Sequence, residues 1–247
     1  MPAAWPESIR RADTTLAADS AAWLLPIWAR WWLLGLPIVL AALVAFAGPH
    51  PNLYHFLVDE DRVIEWSQFF AILAASLVFA VAGRRAWQAG RRNMAILFAL
   101  VAIGAFVVAG EEISWGQRIL GLQTPEALRE INHQDETNIH NINGLQRVFN
   151  LGELVVGLYG FAVPSLLAVP GLRARLAARI DRLLVPPLAL GTMFFLPFLY
   201  RAVRATVLPT AGERLTEFGE VPEFTLYLAI LISGIVIVRA LARTSIR

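Results

Sequence analysis

Six long apolar segments constrain the fold of this chain more than any other feature of its sequence. A helix needs about 20 apolar residues to cross the hydrocarbon core of a bilayer. Hydrophobic residues make up 57% of the chain, whereas a soluble domain has about 45–50%. The sequence therefore predicts an all-α, polytopic integral membrane protein with six transmembrane helices. The predicted segments are Trp31–Ala47, Val63–Gly83, Met94–Gly110, Leu151–Val169, Leu183–Tyr200 and Phe224–Leu241.

The positions of the basic residues predict the orientation of these helices. All 21 basic residues are Arg, and they concentrate in the links after the second and fourth segments and near both ends of the chain. Because cytoplasmic loops are enriched in Arg and Lys, we predict that both termini lie in the cytoplasm. The membrane is expected to be a bacterial inner (plasma) membrane. The two links contain Arg84, Arg85, Arg91 and Arg92, and Arg173, Arg175, Arg179 and Arg182.

This orientation divides the chain into three parts. Residues 1–30 form a cytoplasmic N-terminal segment, in which residues 18–30, with Trp23 and Trp28, are expected to form an interfacial helix. Residues 31–241 form the six-helix membrane domain, including an extracytoplasmic loop over residues 111–150. Residues 242–247 are a cytoplasmic tail.

The second and sixth segments resemble each other. "VIEWSQFFAIL" at 63–73 aligns without gaps with "VPEFTLYLAIL" at 221–231, which places Glu65 opposite Glu223. The fourth segment, "LGELVVGLYG", also has a glutamate, Glu153, in its predicted first turn. The pattern suggests three loosely repeated helical hairpins. Chance similarity between apolar segments is the alternative.

The three glutamates at these helix starts have a simple structural interpretation. A carboxylate near a helix N-terminus accepts hydrogen bonds from free N–H groups and interacts favourably with the helix dipole, by about 0.3–1 kcal/mol. Glu111 and Glu112 differ, because they end the third segment in "VVAGEEISWGQRILG", where the dipole is unfavourable. Acidic residues at membrane depth are usually functional, so we predict a function here. Adjacent helical residues point about 100° apart, and we favour Glu112 as the one that faces the bundle.

The extracytoplasmic loop contains a second candidate motif, "INHQDETNIHNING". On a helix, His133, Glu136 and His140 share one face because their spacing is i, i+3, i+7. Together with Glu112 they form a predicted metal site, and nitrogen and oxygen ligands of this kind suit zinc, iron or manganese. A solvated loop with ordinary capping amides is the alternative. The absence of Cys excludes thiolate ligands.

The last loop, "GERLTEFGEVPEF", supplies more carboxylates before the sixth helix. Pro222 favours a helix start near residues 219–221, with Glu217 before the helix and Glu220 near its cap. Arg201 and Arg204 either neutralise this acidity or bind an anionic head group. The predicted catalytic residues are Glu111, Glu65 and Glu220, and the predicted substrate-binding residues are Arg201, Arg204, Gln117 and Asn138.

These features predict an integral membrane enzyme with an acidic and histidine-containing site at the extracytoplasmic face. A divalent metal there would activate water, so the predicted reaction is hydrolysis of a lipid or lipid-linked substrate. A cation carrier or channel and a non-catalytic membrane scaffold are the alternatives. Basic residues exceed acidic ones by only two, so no nucleic-acid partner is expected.

Overall fold

The structure is a computed structural model that describes residues 6–59, 62–130, 137–138, 142, 145–176, 179–208 and 212–244. These residues form helices joined by turns, and no β-strand occurs among them. The α-helices are α1 Glu7–Ala22, α2 Ile27–Ala47, α3 Pro51–Val58, α4 Val63–Gln88, α5 Arg92–Glu112, α6 Gln117–Leu120, α7 Glu126–Arg129, α8 Gln146–Ala168, α9 Pro170–Leu176, α10 Gly191–Thr206, α11 Glu213–Glu217 and α12 Glu220–Thr244.

Among the described residues, six helical segments are long and apolar enough to cross a membrane, as the sequence predicted. They contain α2, α4, α5, α8, α10 and α12. Five of these helices extend a few residues beyond one or both ends of the predicted apolar run, whereas α10 begins at Gly191, later than the predicted start at Leu183. Large apolar side chains on the outer surfaces of these helices are exposed, among them Phe46, Leu100 and Val155. The chain is therefore an all-helical integral membrane protein. The orientation of its termini stays a prediction.

The helices pack in a connected series. α4 lies between α5 and α12, and α10 lies between α12 and α8, while α2 contacts both α10 and α12. The two segments of the predicted repeat, at the starts of α4 and α12, therefore belong to neighbouring helices. This contact does not test the repeat, which stays a prediction. It does bring Glu65 and Glu223 to the same end of the bundle.

The backbone of α8 packs closely against the backbone of α10 and the Phe194 side chain. A Cβ added to Gly157 would lie 2.8 Å from the carbonyl oxygen of Phe194, and one added to Gly160 would lie 2.3 Å from the Phe194 ring. Small residues at helix contacts in membranes allow such a close approach. The two glycines therefore fix the separation of the two helices one to two turns from Glu153 and Arg201.

Only the second part of the fifth membrane segment is α-helical. Two 3₁₀ turns, Arg182–Leu184 and Leu188–Leu190, precede α10. Pro186 and Pro187 lie between these turns. They interrupt the helix, because proline lacks the N–H that a continuous helix needs. The backbone N–H of Leu188 instead donates to Asp19 of α1 at 2.7 Å.

The N-terminal helix is longer and begins earlier than predicted. It spans Glu7–Ala22, and residues 23–26 separate it from α2, so a helix over 18–30 is wrong. Pro26 precedes the first turn of α2, where its fixed φ favours a helix start. Trp23 is 2% exposed and packs in the core with Phe79 and Leu241. The predicted position of this segment at a membrane interface is not tested.

Candidate functional site

A cavity of about 570 Å³ opens at the end of the bundle where α5 ends and α4 and α12 begin. We call it the acidic cavity. Among the described residues, seven carboxyl side chains and one arginine line it, so its charge is strongly negative if all of them are ionised. The ionisable lining residues are Asp59, Glu65, Glu111, Glu112, Glu153, Glu220, Glu223 and Arg201.

The acidic cavity continues into an apolar region between the helices. Ile72 of α4, Val101 and Ala105 of α5, and Leu226 and Ile230 of α12 line this part. Val101 and Ile72 lie two to three turns inside their helices, measured from the acidic end. The cavity thus has one highly polar end and one apolar end.

Tyr227 connects two of the carboxyl groups. Its hydroxyl lies 2.8 Å from Oε1 of Glu112 and 2.7 Å from Oε1 of Glu223. A tyrosine hydroxyl has only one hydrogen to donate. One of the two contacts therefore requires a second hydrogen, held by a carboxyl group, or a cation beside the pair. This arrangement is a site at which a proton can be held or exchanged.

Arg201 neutralises another pair of glutamates. It donates from Nε and Nη2 to the two carboxylate oxygens of Glu153, and its Nη2 lies 3.5 Å from Oε2 of Glu223. Because this bidentate geometry occupies one edge of the guanidinium, Arg201 holds Glu153 in a fixed position. These contacts agree with the neutralising role considered for Arg201, and its role in substrate binding stays a prediction.

Glu153 does not lie in the first turn of its helix, contrary to the sequence prediction. α8 begins at Gln146, so Glu153 lies about two turns inside it. The apolar run that defined the predicted segment starts later than the helix, because the first turn of α8 is polar. Its partner is therefore Arg201 of α10 rather than the free N–H groups of a helix start.

Glu220 begins α12 and contacts a fully buried glutamine. Nε2 of Gln68 lies 3.0 Å from the main-chain oxygen and 3.0 Å from Oε2 of Glu220. Gln68 is 0% exposed, and its Oε1 has no hydrogen-bond partner among the described residues. The start of α12 falls within the range that Pro222 predicted.

Glu111 and Glu112 both line the cavity, although we expected only one of them to face the bundle. The chain reverses its direction directly after α5. Ser114, Trp115 and Gly116 all have positive φ angles, which turn the chain back over the last turn of the helix. Nε1 of Trp115 then donates to Oε1 of Glu111 at 2.7 Å and covers that carboxylate.

A group of potential metal ligands lies beside the cavity. Nδ1 or Nε2 of His55 and one carboxylate oxygen each of Asp59 and Glu217 lie within 4.8 Å of one another. Nδ1 of His55 is 2.9 Å from Oδ1 of Asp59. Oε2 of Glu217 is buried without a hydrogen-bond partner among the described residues. Asp59 belongs both to this group and to the cavity lining.

The predicted histidine ligands cannot be compared with this geometry. His133, Glu136 and His140 lie outside the residues that the structure describes. Glu112, the fourth predicted ligand, lies in the acidic cavity and contacts Tyr227. The predicted metal site therefore stays a prediction.

The structure separates the other predicted substrate-binding residues from the cavity lining. Arg204 lies near the main-chain oxygen of Leu208 and the hydroxyl of Thr216. Gln117 donates to the hydroxyl of Thr124 at 2.6 Å, and the buried Asn138 donates to Ser114 at 3.2 Å. Gln117 and Asn138 therefore hold the loop after α5 together, next to the Glu111–Trp115 contact.

Several residues of the site were not singled out from the sequence. Tyr227 and Gln68 gave no sequence signal, because a lone polar residue in an apolar helix is usually a satisfied interior group. His55 and Asp59 did give one, since i, i+4 spacing places two ligands on one face of a helix. α3 is that helix, and it was not predicted because eight residues between prolines and acidic residues resemble a loop.

No protein-family model, curated protein or solved structure matches this chain. The fold and the site together define its class as an all-helical membrane protein with six candidate spans and an acidic cavity at one end of the bundle.

Proposed function

We propose that this protein is a metal-dependent membrane enzyme that hydrolyses a lipid or lipid-linked substrate in the acidic cavity. The observation that supports this most directly is the division of one cavity into a carboxyl-rich end and an apolar end. An amphiphile has the same division, with a polar head group next to a hydrocarbon chain. The cavity opens at the end of membrane-crossing helices, where such head groups are found.

The charge of the cavity favours a bound cation. Its lining contains seven carboxyl groups and one arginine, and the arginine already contacts Glu153 and Glu223. Carboxylates in one site repel each other unless a proton, a basic side chain or a metal compensates them. A divalent cation would compensate several of them at once.

His55, Asp59 and Glu217 are the described residues that fit such a cation best. One imidazole nitrogen and two carboxylate oxygens form a mixed ligand set of the type that binds zinc, iron or manganese. Oε2 of Glu217 is buried without a described partner, which is costly for a carboxylate unless something compensates it. Because Asp59 also lines the acidic cavity, a metal held there would lie at the edge of the substrate space.

The acid and base groups would come from the other carboxyls of the cavity. Glu112 shares the Tyr227 hydroxyl with Glu223, so it can hold a proton or release one. Glu220 is held by Gln68 at the start of α12. A metal would supply an activated water, and these two glutamates would take its proton and protonate the leaving alcohol. Glu111 and Arg201 would position their neighbours.

The interiors of the spans give less support to a cation carrier. A transport path normally contains polar groups that are available near the middle of the membrane. The hydroxyls of Ser76, Ser165, Thr192 and Ser233 each donate to a main-chain oxygen of a helix. The apolar end of the acidic cavity likewise offers no ligand for a dehydrated cation.

The metal is tested first. The protein is purified in detergent without added metal or chelator, and bound metals are measured by elemental mass spectrometry. We expect near-stoichiometric zinc, iron or manganese in the parent and its loss in an Asp59→Asn/Glu217→Gln variant. Glu7→Gln is the matched control, because Glu7 is an exposed carboxylate paired with Arg11 on α1. A parent that stays metal-free after incubation with all three metals contradicts the proposal.

The reaction is tested with the metal-loaded protein in mixed micelles. Lipids with an acyl ester and lipids with a phosphate ester are offered in turn, and the released alcohol or phosphate is measured. We expect Glu112→Gln and Glu220→Gln each to lower the rate by about 10²–10⁴-fold, as for other acid–base residues. A metal-loaded parent that hydrolyses neither class would instead favour the carrier. Activity that is unaffected by both variants would exclude these residues as the acid–base groups.

A further inference from the structure

A second cavity lies at the opposite end of α8 from the acidic cavity. It has a volume of about 270 Å³ and lies between α1 and the chain that connects α8 to α10. We call it the second cavity. Its polar lining is small and mostly cationic or hydroxylic, and its other lining residues are largely apolar. The polar and charged lining residues are Thr15, Asp19, Arg173 and Arg182.

Arg182 is held at the wall of this cavity by two neighbours. Its guanidinium lies 5.0 Å from the centre of the Trp23 ring, and its Nη2 lies 3.5 Å from Oδ1 of Asp19. The ring contact orients the planar guanidinium. A guanidinium has five N–H donors, and these two contacts do not use all of them.

Arg173 lines the same cavity from α9. It is exposed, and its charge lies close enough to influence Asp19. Two guanidinium groups and one carboxyl group therefore line the second cavity. Burial raises the pKa of Asp19, against the opposing effects of the Leu188 N–H, Arg182 and Arg173. Among the described residues, the lining of the second cavity therefore has two basic side chains and one acidic side chain.

The rest of the second cavity is suited to a hydrocarbon chain. Pro164, Leu167 and Ala168 of α8 form one side of it. The neighbouring Leu166 is 49% exposed on the outer surface of α8, which faces away from the other helices. An acyl chain could therefore leave the cavity along α8 while the attached head group stays between the two arginines.

We propose that the second cavity binds the phosphate group of an anionic amphiphile, with Arg173 and Arg182 as its ligands. Guanidinium groups match the geometry of phosphate oxygens. Basic pockets at the ends of membrane helices are known to bind phospholipid head groups. The apolar side of the cavity favours a phospholipid over free phosphate. This site is independent of the proposed hydrolase, because none of its lining residues lines the acidic cavity.

Lipid binding is measured by native mass spectrometry of the full chain in detergent. Phosphatidylglycerol and phosphatidylcholine are added at equal concentrations, and inorganic phosphate is added alone in a parallel experiment. We expect the parent to retain phosphatidylglycerol preferentially. Arg173→Gln and Arg182→Gln should each weaken this binding about fivefold. This factor corresponds to the contribution of about 1 kcal/mol that one basic residue makes to the binding of anionic lipid. If the parent instead binds inorganic phosphate added alone and both substitutions weaken that binding, the free anion is the ligand of the two arginines and the lipid proposal is overturned.

Two other arginines are matched controls. Arg175 lies on α9 beside Arg173 but does not line the cavity, and Arg92 lies 5.7 Å from the Trp87 ring just as Arg182 lies over Trp23. Arg175→Gln and Arg92→Gln should retain the preference. Equal binding of both lipids by the parent, or an equal loss in the controls, overturns the proposal. If Arg182→Gln does not fold, Arg173→Gln alone still decides, because Arg173 is exposed.

Discussion

Arg201 donates two hydrogen bonds to Glu153, from Nε to Oε2 at 2.8 Å and from Nη2 to Oε1 at 2.7 Å. Both side chains are mostly buried, with 17% of Arg201 and 11% of Glu153 exposed. The pair joins α10 to α8 directly above the close contact at Gly157. It is therefore the polar part of the α8–α10 interface. The apolar part of this interface, at Gly157 and Gly160, is too closely packed for either helix to move toward the other.

The first prediction concerns this pair. Arg201→Gln should lower the free energy of unfolding by about 3–5 kcal/mol, because it removes the bidentate cationic partner of the mostly buried Glu153 carboxylate. An Arg201→Gln/Glu153→Gln variant should lose less than the sum of the two single changes. Unfolding is followed in mixed micelles. Arg204→Gln is the control, since its contacts are longer, at 3.3 and 3.4 Å. Equal losses in Arg201→Gln and Arg204→Gln would contradict the prediction.

The second prediction concerns the hydroxyl between Glu112 and Glu223. Tyr227→Phe should lower the free energy of unfolding by about 1–3 kcal/mol, because two carboxyl groups lose their shared partner. Adding Glu112→Gln should restore part of the loss, since it replaces one of the two carboxyl groups that lost the hydroxyl with an uncharged amide. Melting temperatures of the two variants test this. Tyr159→Phe is the control, because its hydroxyl donates to Leu184 on the exposed side of α8. A double variant less stable than Tyr227→Phe would disprove the rescue.

The third prediction concerns the turn after α5. A Cβ at Gly110 would lie 2.8 Å from the ring of Trp115. Gly110→Ala should therefore displace this ring from Glu111 and destabilise the protein by about 1–3 kcal/mol, as overpacking commonly does. Gly35→Ala is the control, because a Cβ at Gly35 in α2 meets nothing within 4 Å. Tryptophan fluorescence and melting temperature report the change. Equal melting temperatures for the two variants would exclude the steric argument.

The fourth prediction concerns pH and Asp19. Burial raises the pKa of Asp19 above its ordinary value of 3.8, so the folded protein binds this proton more tightly than the unfolded chain does. Stability should therefore fall as the pH rises from about this value through the raised pKa. In Asp19→Asn the uncharged amide can still accept from Leu188, and this decrease should be absent. Melting curves between pH 4 and 7 compare the two. Parallel pH profiles would show that Asp19 does not titrate in this range.

The membrane helices could be predicted from the sequence because the signal is local. An apolar run of sufficient length has few alternatives to a membrane helix, and the ends of α2 and α12 fall within a few residues of the expected positions. Helix starts that contain polar residues were not predicted, because the segments were defined by their apolar runs alone. Gln146–Asn150 at the start of α8 is the example with a consequence, because it changed the role expected for Glu153.

The candidate site could be predicted only in part. The sequence placed carboxylates at one end of the helices, and Glu65, Glu111, Glu112 and Glu220 do line one cavity. Which groups contact each other depends on the rotation and depth of each helix, and these follow from packing between segments far apart in sequence. Glu112 and Tyr227 are an example, because 115 positions separate them. No periodic pattern within one segment specifies such a contact.

The hydrogen bond between Asp19 and the N–H of Leu188 has a consequence for the order of synthesis. Backbone groups that lie at membrane depth outside a regular helix need a partner within the protein. The fifth segment obtains one for Leu188 from α1, which precedes it in the chain. Because translation proceeds from the N-terminus, this acceptor exists before the fifth segment leaves the ribosome. Chains lacking α1 would insert that segment without the acceptor that the Leu188 N–H has in the folded protein.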